Sequence, residues 1–172
     1  GMYNGEMLSA PEYKSLAGLD GAGFHGGYNH IVYQMVGQPL GVFYLPHSTG
    51  LESDGNGGYT YGIADLNGGG VSLEDGEDRY VAGQAVPKTI LGSNISFRYK
   101  RFDLSLQVNG AFGHKIYNGT SLTYMNMNIF PDYNVMKKAQ KQNIKDQTAT
   151  EYWLEKGDYV KLYYVTLGWT VP

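Results

Sequence analysis

"SNISFRYKRFDLSLQVNGAFG", Ser93–Gly113, alternates apolar and polar residues on both sides of a charged knot at Lys100 and Arg101. On the two-residue period of a strand, Ile95, Phe97 and Tyr99 share one face, while Asn94, Ser96, Arg98 and Lys100 share the other. The second arm repeats the pattern. Phe102, Leu104, Leu106, Val108 and Phe112 point one way; Asp103, Ser105, Gln107 and Asn109 point the other. An antiparallel hairpin turning at Lys100 and Arg101 is predicted, because a slip of one residue would move every aromatic to the wrong face. The second arm is about ten residues, which is what a tilted strand needs to cross a bilayer. A half-buried soluble strand alternates equally well, so the apolar face has two candidate solvents, a protein core or lipid.

The rest of the chain narrows the choice. Its 172 residues suffice for one ordinary domain, and a formal charge of -3 gives no electrostatic footprint for DNA or RNA. Twenty-five Gly and 16 Tyr beside 17% charged residues indicate an all-β, loop-rich protein, since Gly punctuates turns and Tyr favours strands and amphipathic interfaces. With no cysteine, a disulfide framework, a thiolate zinc site and a cysteine nucleophile are excluded. No apolar run is long enough for a membrane-spanning helix, so any contact with a bilayer runs through strands or a partner. No charged n-region followed by an apolar h-region opens the sequence, so no export signal is read here.

Residues 1–90 form a polar, Gly-rich tract with short strand-like pieces, "HIVYQMV" and "GVFYL", and turn signals at "DGNGG" and "DLNGGG". The strongest strands follow: 93–100, 102–112 and Gly157–Val171. In the last of these Tyr159, Lys161, Tyr163, Val165, Leu167 and Trp169 are expected to share a face. Between them, 113–156 is polar with good helix formers and no wide apolar stripe, and reads as a surface helix or irregular loop. The hairpin arms are joined by almost nothing, whereas the opposite connections run to tens of residues. Loops that long are usually functional or disordered, and short turns at one end with long loops at the other are the asymmetry of outer-membrane barrels.

Four stretches then resemble the C-terminal part of SusC/RagA-like TonB-linked outer-membrane transporters: "GQPLGVFY", "DLNGGGVSLEDGEDRYVAGQAVPK", "FRYKRFDLSLQVNGAFGHKIYN" and "EKGDYVKLYYVTLGWT". Their order and spacing agree with the family over about Gly37–Pro172. The resemblance implies antiparallel strands of an outer-membrane barrel, with 1–90 as outer-loop material, and import of glycans or peptides with a SusD-like lipoprotein and with energy from TonB. It also implies that the plug, the TonB box and most strands lie outside this chain, which would then have no autonomous transport activity. No enzymatic function and no cofactor is expected. The alternative is a soluble all-β carbohydrate-binding module whose apolar face packs on a second sheet.

Within "DLNGGGVSLEDGEDR", Asp65 and Asn67 fit the first two ligand positions of a calcium loop. Gly69, Leu73 and Gly76 stand where further oxygen ligands belong, so a Gly-rich turn is the better reading. His25, His30, His47 and His114 show no metal-binding or triad-like spacing, and no nucleophile elbow or phosphate loop is present. Tyr59, Tyr61, Tyr117, Tyr124, Tyr133, Tyr152 and Trp153 fall in the expected outer loops, where aromatic faces can stack on sugar rings. Each can equally fill a small loop core or girdle a membrane interface. Outside lipid, a sandwich-like or rolled sheet is expected to bury Phe97, Phe102, Leu104, Leu106 and Leu167, or a homo-oligomer to cover them, with Asn94, Ser96, Gln107 and Asn109 wet.

Overall fold

Strands dominate the computed structural model, which describes residues 2–3, 6–7, 13–18, 30–73 and 77–171, the first three stretches as backbone. The fold class is all-β, with short helices only. The chain divides into two units, Gly1–Ala85 with Ile116–Glu155, and Val86–Lys115 with Lys156–Pro172.

In the first unit, β1 (Met2–Tyr3) and β2 (Glu6–Met7) form a short ladder. Next come β3 (Tyr13–Gly18), β4 (His30–Met35), β5 (Val42–Pro46), β6 (Ser48–Ser53), β7 (Tyr59–Ile63) and β8 (Arg79–Gln84). They build an antiparallel sheet of order β3-β4-β5-β8 and a separate β6–β7 hairpin. The β-branched and aromatic runs "HIVYQM" and "VFYLP" account for β4 and β5. Paired on both edges, β5 is also its most enclosed strand, with Val42, Phe43 and Leu45 buried.

Residues 113–156 carry α1 (Gly119–Tyr124) and α2 (Ala139–Gln142). The Asn118 side chain caps α1 by accepting from the Ser121 N–H at 2.9 Å. Leu122 of α1 and Ile144 beyond α2 are wholly buried and join Ile31, Phe43, Leu45, Tyr61, Ala82 and Ala149 in the core. The turn "SDGNGG" ties this segment to the β6–β7 hairpin. Asp54 Oδ1 accepts the amides of Asn56 and Gly58 at 2.7 and 2.8 Å, and Asn143 Nδ2 donates to the Gly57 carbonyl at 2.6 Å.

The second unit is a three-stranded antiparallel sheet of β9 (Thr89–Tyr99), β10 (Phe102–Phe112) and β13 (Tyr159–Trp169), in the order β13-β10-β9. Two short strands, β11 (Lys115–Tyr117) and β12 (Leu154–Lys156), pair where the chain passes between the units. The β9–β10 hairpin turns at Lys100 and Arg101, with Tyr99 opposite Phe102, and its ladder continues without a break to Thr89 opposite Phe112. Lys100 takes a left-handed φ of 55°, which a two-residue hairpin turn requires.

Two expectations are corrected. First, the apolar side chains are not inside a sandwich or roll: Phe97 is 62% exposed, Phe102 54% and Leu167 73%, and Leu104 and Leu106 are only half-buried. The reason lies in burial on both faces of the outer strands, which is nil along all of β9 and almost all of β13. Second, Tyr159 and Lys161 do not share a face with Val165, Leu167 and Trp169. Tyr164 lies opposite Gln107 but Leu162 opposite Val108, so Tyr163 is an extra residue, a β-bulge that shifts the alternation by one.

Candidate functional site

With the bulge in place, the register divides the second unit into two faces of opposite chemistry. One face carries, row by row, Tyr99–Phe102–Trp169, Phe97–Leu104–Leu167, Ile95–Leu106–Val165, Ser93–Val108–Leu162 and Leu91–Gly110–Val160. The other begins Arg98–Asp103–Gly168, Ser96–Ser105–Thr166, Asn94–Gln107–Tyr164 and Gly92–Asn109–Lys161. Side chains interact across the polar face: Ser96 Oγ and Ser105 Oγ are 3.4 Å apart. The Asp103 carboxylate lies over Gly168, 2.5 Å from where a Cβ would stand, so a larger residue there would displace it. At the hairpin end of the apolar face the rings of Phe102 and Trp169 stack at 6.1 Å, beside Tyr99.

Such a sheet is unfinished in water. Its outer strands are eleven residues long and, among the described residues, leave a row of backbone groups open on each edge with the apolar face exposed. Lipid on one face, water on the other and further strands at both edges would satisfy every one of those groups.

Of the aromatic candidates, the fold brings Tyr61, Tyr152 and Trp153 together in the first unit. Trp153 Nε1 donates to the Tyr61 hydroxyl at 2.7 Å, the Tyr61 and Tyr152 rings are 5.3 Å apart, and Tyr152 meets Trp153 edge-on at 5.0 Å. Burial pushes the Tyr61 and Tyr117 hydroxyls well above the usual phenol value. Tyr61 belongs to the core of this unit and Tyr117 packs against it. Tyr59, Tyr124 and Tyr133 are exposed and stand apart from this ring cluster, on β7, at the end of α1 and in the loop after it.

Beside the cluster, Glu151 accepts from the Tyr80 hydroxyl and contacts His47 Nδ1, and the His47 and Tyr80 rings meet edge-on. No local spacing links positions 47, 80 and 151, so the sequence alone carries no signal for this trio.

Asp65 and Asn67 are engaged within their own turn. Asp65 accepts the amides of Gly68 and Gly70 at 2.6 and 3.0 Å, Asn67 Oδ1 accepts that of Gly69, and Asn67 Nδ2 donates to Glu77. Gly68 and Gly70 hold φ of 78° and 94°, which the turn needs glycine to supply. Buried Asp78, which stands out of register with a calcium loop, organises this turn by accepting the amides of Ser72, Leu66 and Asn67. Those bonds, Ser72 first, hold its carboxyl below the ordinary 3.8. A depressed folded-state value gives stability that is present above the unfolded value and lost as pH falls through the folded one. The amides of Leu66, Asn67 and Ser72 are therefore expected to lose hydrogen-exchange protection below about pH 4, and Asp78→Ala to lose it at neutral pH.

The chain is 27% identical over 157 residues to a TonB-dependent receptor of Formosa agariphila, an alignment covering 79% of this chain and 16% of that receptor. It therefore spans about a sixth of the length of the curated relative it matches. No protein-family model matches. The likeness supports the TonB-dependent receptor family.

Proposed function

We propose that this chain is part of the barrel wall and outer loops of a TonB-dependent outer-membrane transporter. The observation that carries the reading is the sheet of β9, β10 and β13, with one apolar face, one polar face and, among the described residues, both edges open. The apolar face meets lipid and the polar face lines the lumen. Trp169, Phe102 and Tyr99 sit at the interface beside the short turn, which faces the periplasm. The long connections, which join these strands at the end remote from the turn, then belong to the extracellular side. No catalytic step is assigned; the intact protein moves a nutrient inward with energy delivered by TonB.

The four family-like stretches favour the SusC/RagA type, with a glycan or peptide cargo and a SusD-like lipoprotein partner. One of them is explained by local packing: Gly157 of "EKGDY" donates to the His114 carbonyl at 3.0 Å, and a Cβ there would strike the His114 ring. Exposed Tyr59, Tyr124 and Tyr133, with half-buried Tyr152 and Trp153, are the aromatic surfaces available to cargo.

This chain contributes no cysteine, so labelling of an introduced cysteine, measured against the unsubstituted protein, reports the face it stands on. In membranes of cells making the protein from its own gene, Asn94→Cys and Gln107→Cys should react with a membrane-impermeant maleimide once the lumen is accessible. Phe97→Cys and Leu106→Cys should stay protected until detergent is added. A protein found in the soluble fraction, with both faces labelled alike, rejects the transporter reading and favours a carbohydrate-binding module.

A further inference from the structure

In an Asn–Gly pair the asparagine side chain is open to attack by the backbone nitrogen of its own neighbour, because glycine carries no Cβ to shield its amide. Five such pairs stand in the sequence, and four lie among the described residues: Asn56–Gly57, Asn67–Gly68, Asn109–Gly110 and Asn118–Gly119. The fold treats them unequally. Asn109–Gly110 lies inside β10, laddered on both sides, so its backbone is held extended. Asn118 is fixed as the cap of α1, with Oδ1 accepting the Ser121 amide at 2.9 Å and Nδ2 donating to Glu155 at 2.8 Å. In the Gly-rich turn the Gly68 amide donates to Asp65 at 2.6 Å, and Gly69 and Glu77 engage both ends of the Asn67 side chain. Asn56–Gly57 differs on each count. Asp54 accepts the amides on either side, those of Asn56 and Gly58, and passes over that of Gly57. Among the described residues, neither the Gly57 N–H nor Asn56 Oδ1 has a hydrogen-bond partner, and Asn56 Nδ2 makes one long bond, 3.4 Å, to the Asp54 carbonyl. Both residues are exposed, and a Cβ at Gly57 would meet nothing within 4 Å.

We infer that Asn56 is a site of spontaneous covalent modification, at which the Gly57 backbone nitrogen closes on the Asn56 side chain and the amide is lost as ammonia. The Gly57 nitrogen bonds to Asn56 Cγ, the Cγ–Nδ2 bond breaks, and the proton leaving the Gly57 nitrogen departs with Nδ2 in the ammonia. A cyclic imide remains. Water then adds to one of its two carbonyls and breaks that carbonyl's bond to nitrogen. Opening at the side-chain carbonyl gives aspartate; opening at the main-chain carbonyl gives isoaspartate, in which the chain runs through the side-chain carbon. Nothing is oxidised or reduced. The effect follows from what this turn holds: the Gly57 carbonyl accepts Asn143 Nδ2 at 2.6 Å, the Tyr59 amide donates to the Asn143 carbonyl at 3.0 Å, and the Lys145 amide donates to the Tyr59 carbonyl at 2.8 Å. Isoaspartate lengthens the backbone by one carbon just before Gly57, so these bonds lose their common register and the hairpin tip comes away from 143–145. The inference stands apart from the barrel-wall reading, since it needs this turn alone.

The test is peptide mapping by mass spectrometry of the folded protein, purified as its own gene makes it and aged in mildly alkaline buffer made with water carrying the heavy oxygen isotope. Asn56 should convert about tenfold or more faster than Asn67, Asn109 and Asn118, because holding a reacting group out of attack geometry costs up to about a hundredfold. In denaturant the four rates should converge, since local sequence is then all that separates them. Heavy oxygen should appear at residue 56, and Asn56→Gln, whose longer side chain closes a larger ring, should show no conversion there. In the aged protein the Gly58, Tyr59 and Lys145 amides should lose hydrogen-exchange protection. Asn56→Asp, which carries the new charge on an unaltered backbone, should keep it. Equal conversion at the four sites of the folded protein, or faster conversion at any of the other three, overturns the site. Conversion to isoaspartate with those three amides still protected overturns its effect on the turn.

Discussion

Leu106→Arg is expected to stop assembly into the membrane, while Gln107→Arg, one residue further on, should leave it nearly unchanged. Leu106 stands in the middle row of the apolar face between Ile95 and Val165; Gln107 stands on the polar face between Asn94 and Tyr164. An arginine on a lipid-facing strand near the bilayer midplane costs about 2–4 kcal/mol, whereas a lumen position remains in water. By that figure the assembled fraction falls on the order of a hundredfold for the first variant. The check is the amount of heat-modifiable, detergent-extractable protein in the outer membrane. Equal levels for the two variants would show that the faces do not see different solvents.

Ile144→Ala should be the most damaging small substitution in the first unit. The residue is wholly buried, bridges both Tyr59 and Asn126, and its carbonyl accepts the Met127 amide at 2.7 Å. Truncating such a side chain costs about 2–5 kcal/mol, the upper part of the range applying where the surroundings cannot collapse. Collapse is restricted here by the Asn143 and Lys145 backbone bonds to Tyr59 on either side. Thermal unfolding, with proteolysis mapped to 139–155, should show a large loss confined to this unit. Val32→Ala, at a half-buried position on β4, provides the milder comparison.

What the sequence showed plainly was local and periodic. The hairpin was legible because both arms alternate in phase and the turn between them is two residues long, so pattern and connection agree. Burial was misjudged for a physical reason: alternation says which side chains share a face, not which solvent that face meets. The β13 faces were misassigned because a bulge leaves no mark in composition; Tyr163 fits the strand pattern as well as its neighbours do. Among the candidate aromatics, residue type could not separate Tyr61, whose hydroxyl is taken by Trp153, from exposed Tyr59 two positions earlier. Nor could spacing bring His47, Tyr80 and Glu151 together, since only the folded unit makes them neighbours.

The surplus residue in β13 makes the strand unevenly tolerant of changes in length. Deleting Tyr163 would close the ladder into a regular register and leave each remaining side chain facing the solvent it faces now, because Leu162 and Tyr164 already sit opposite consecutive residues of β10. Removing Val165 instead, on the far side of the bulge, would draw a polar neighbour into the oily row or force the bulge to migrate. One-residue gaps between relatives in this strand should therefore gather at position 163, and an alignment that places them elsewhere would assign the apolar-face residues to the wrong side of the sheet.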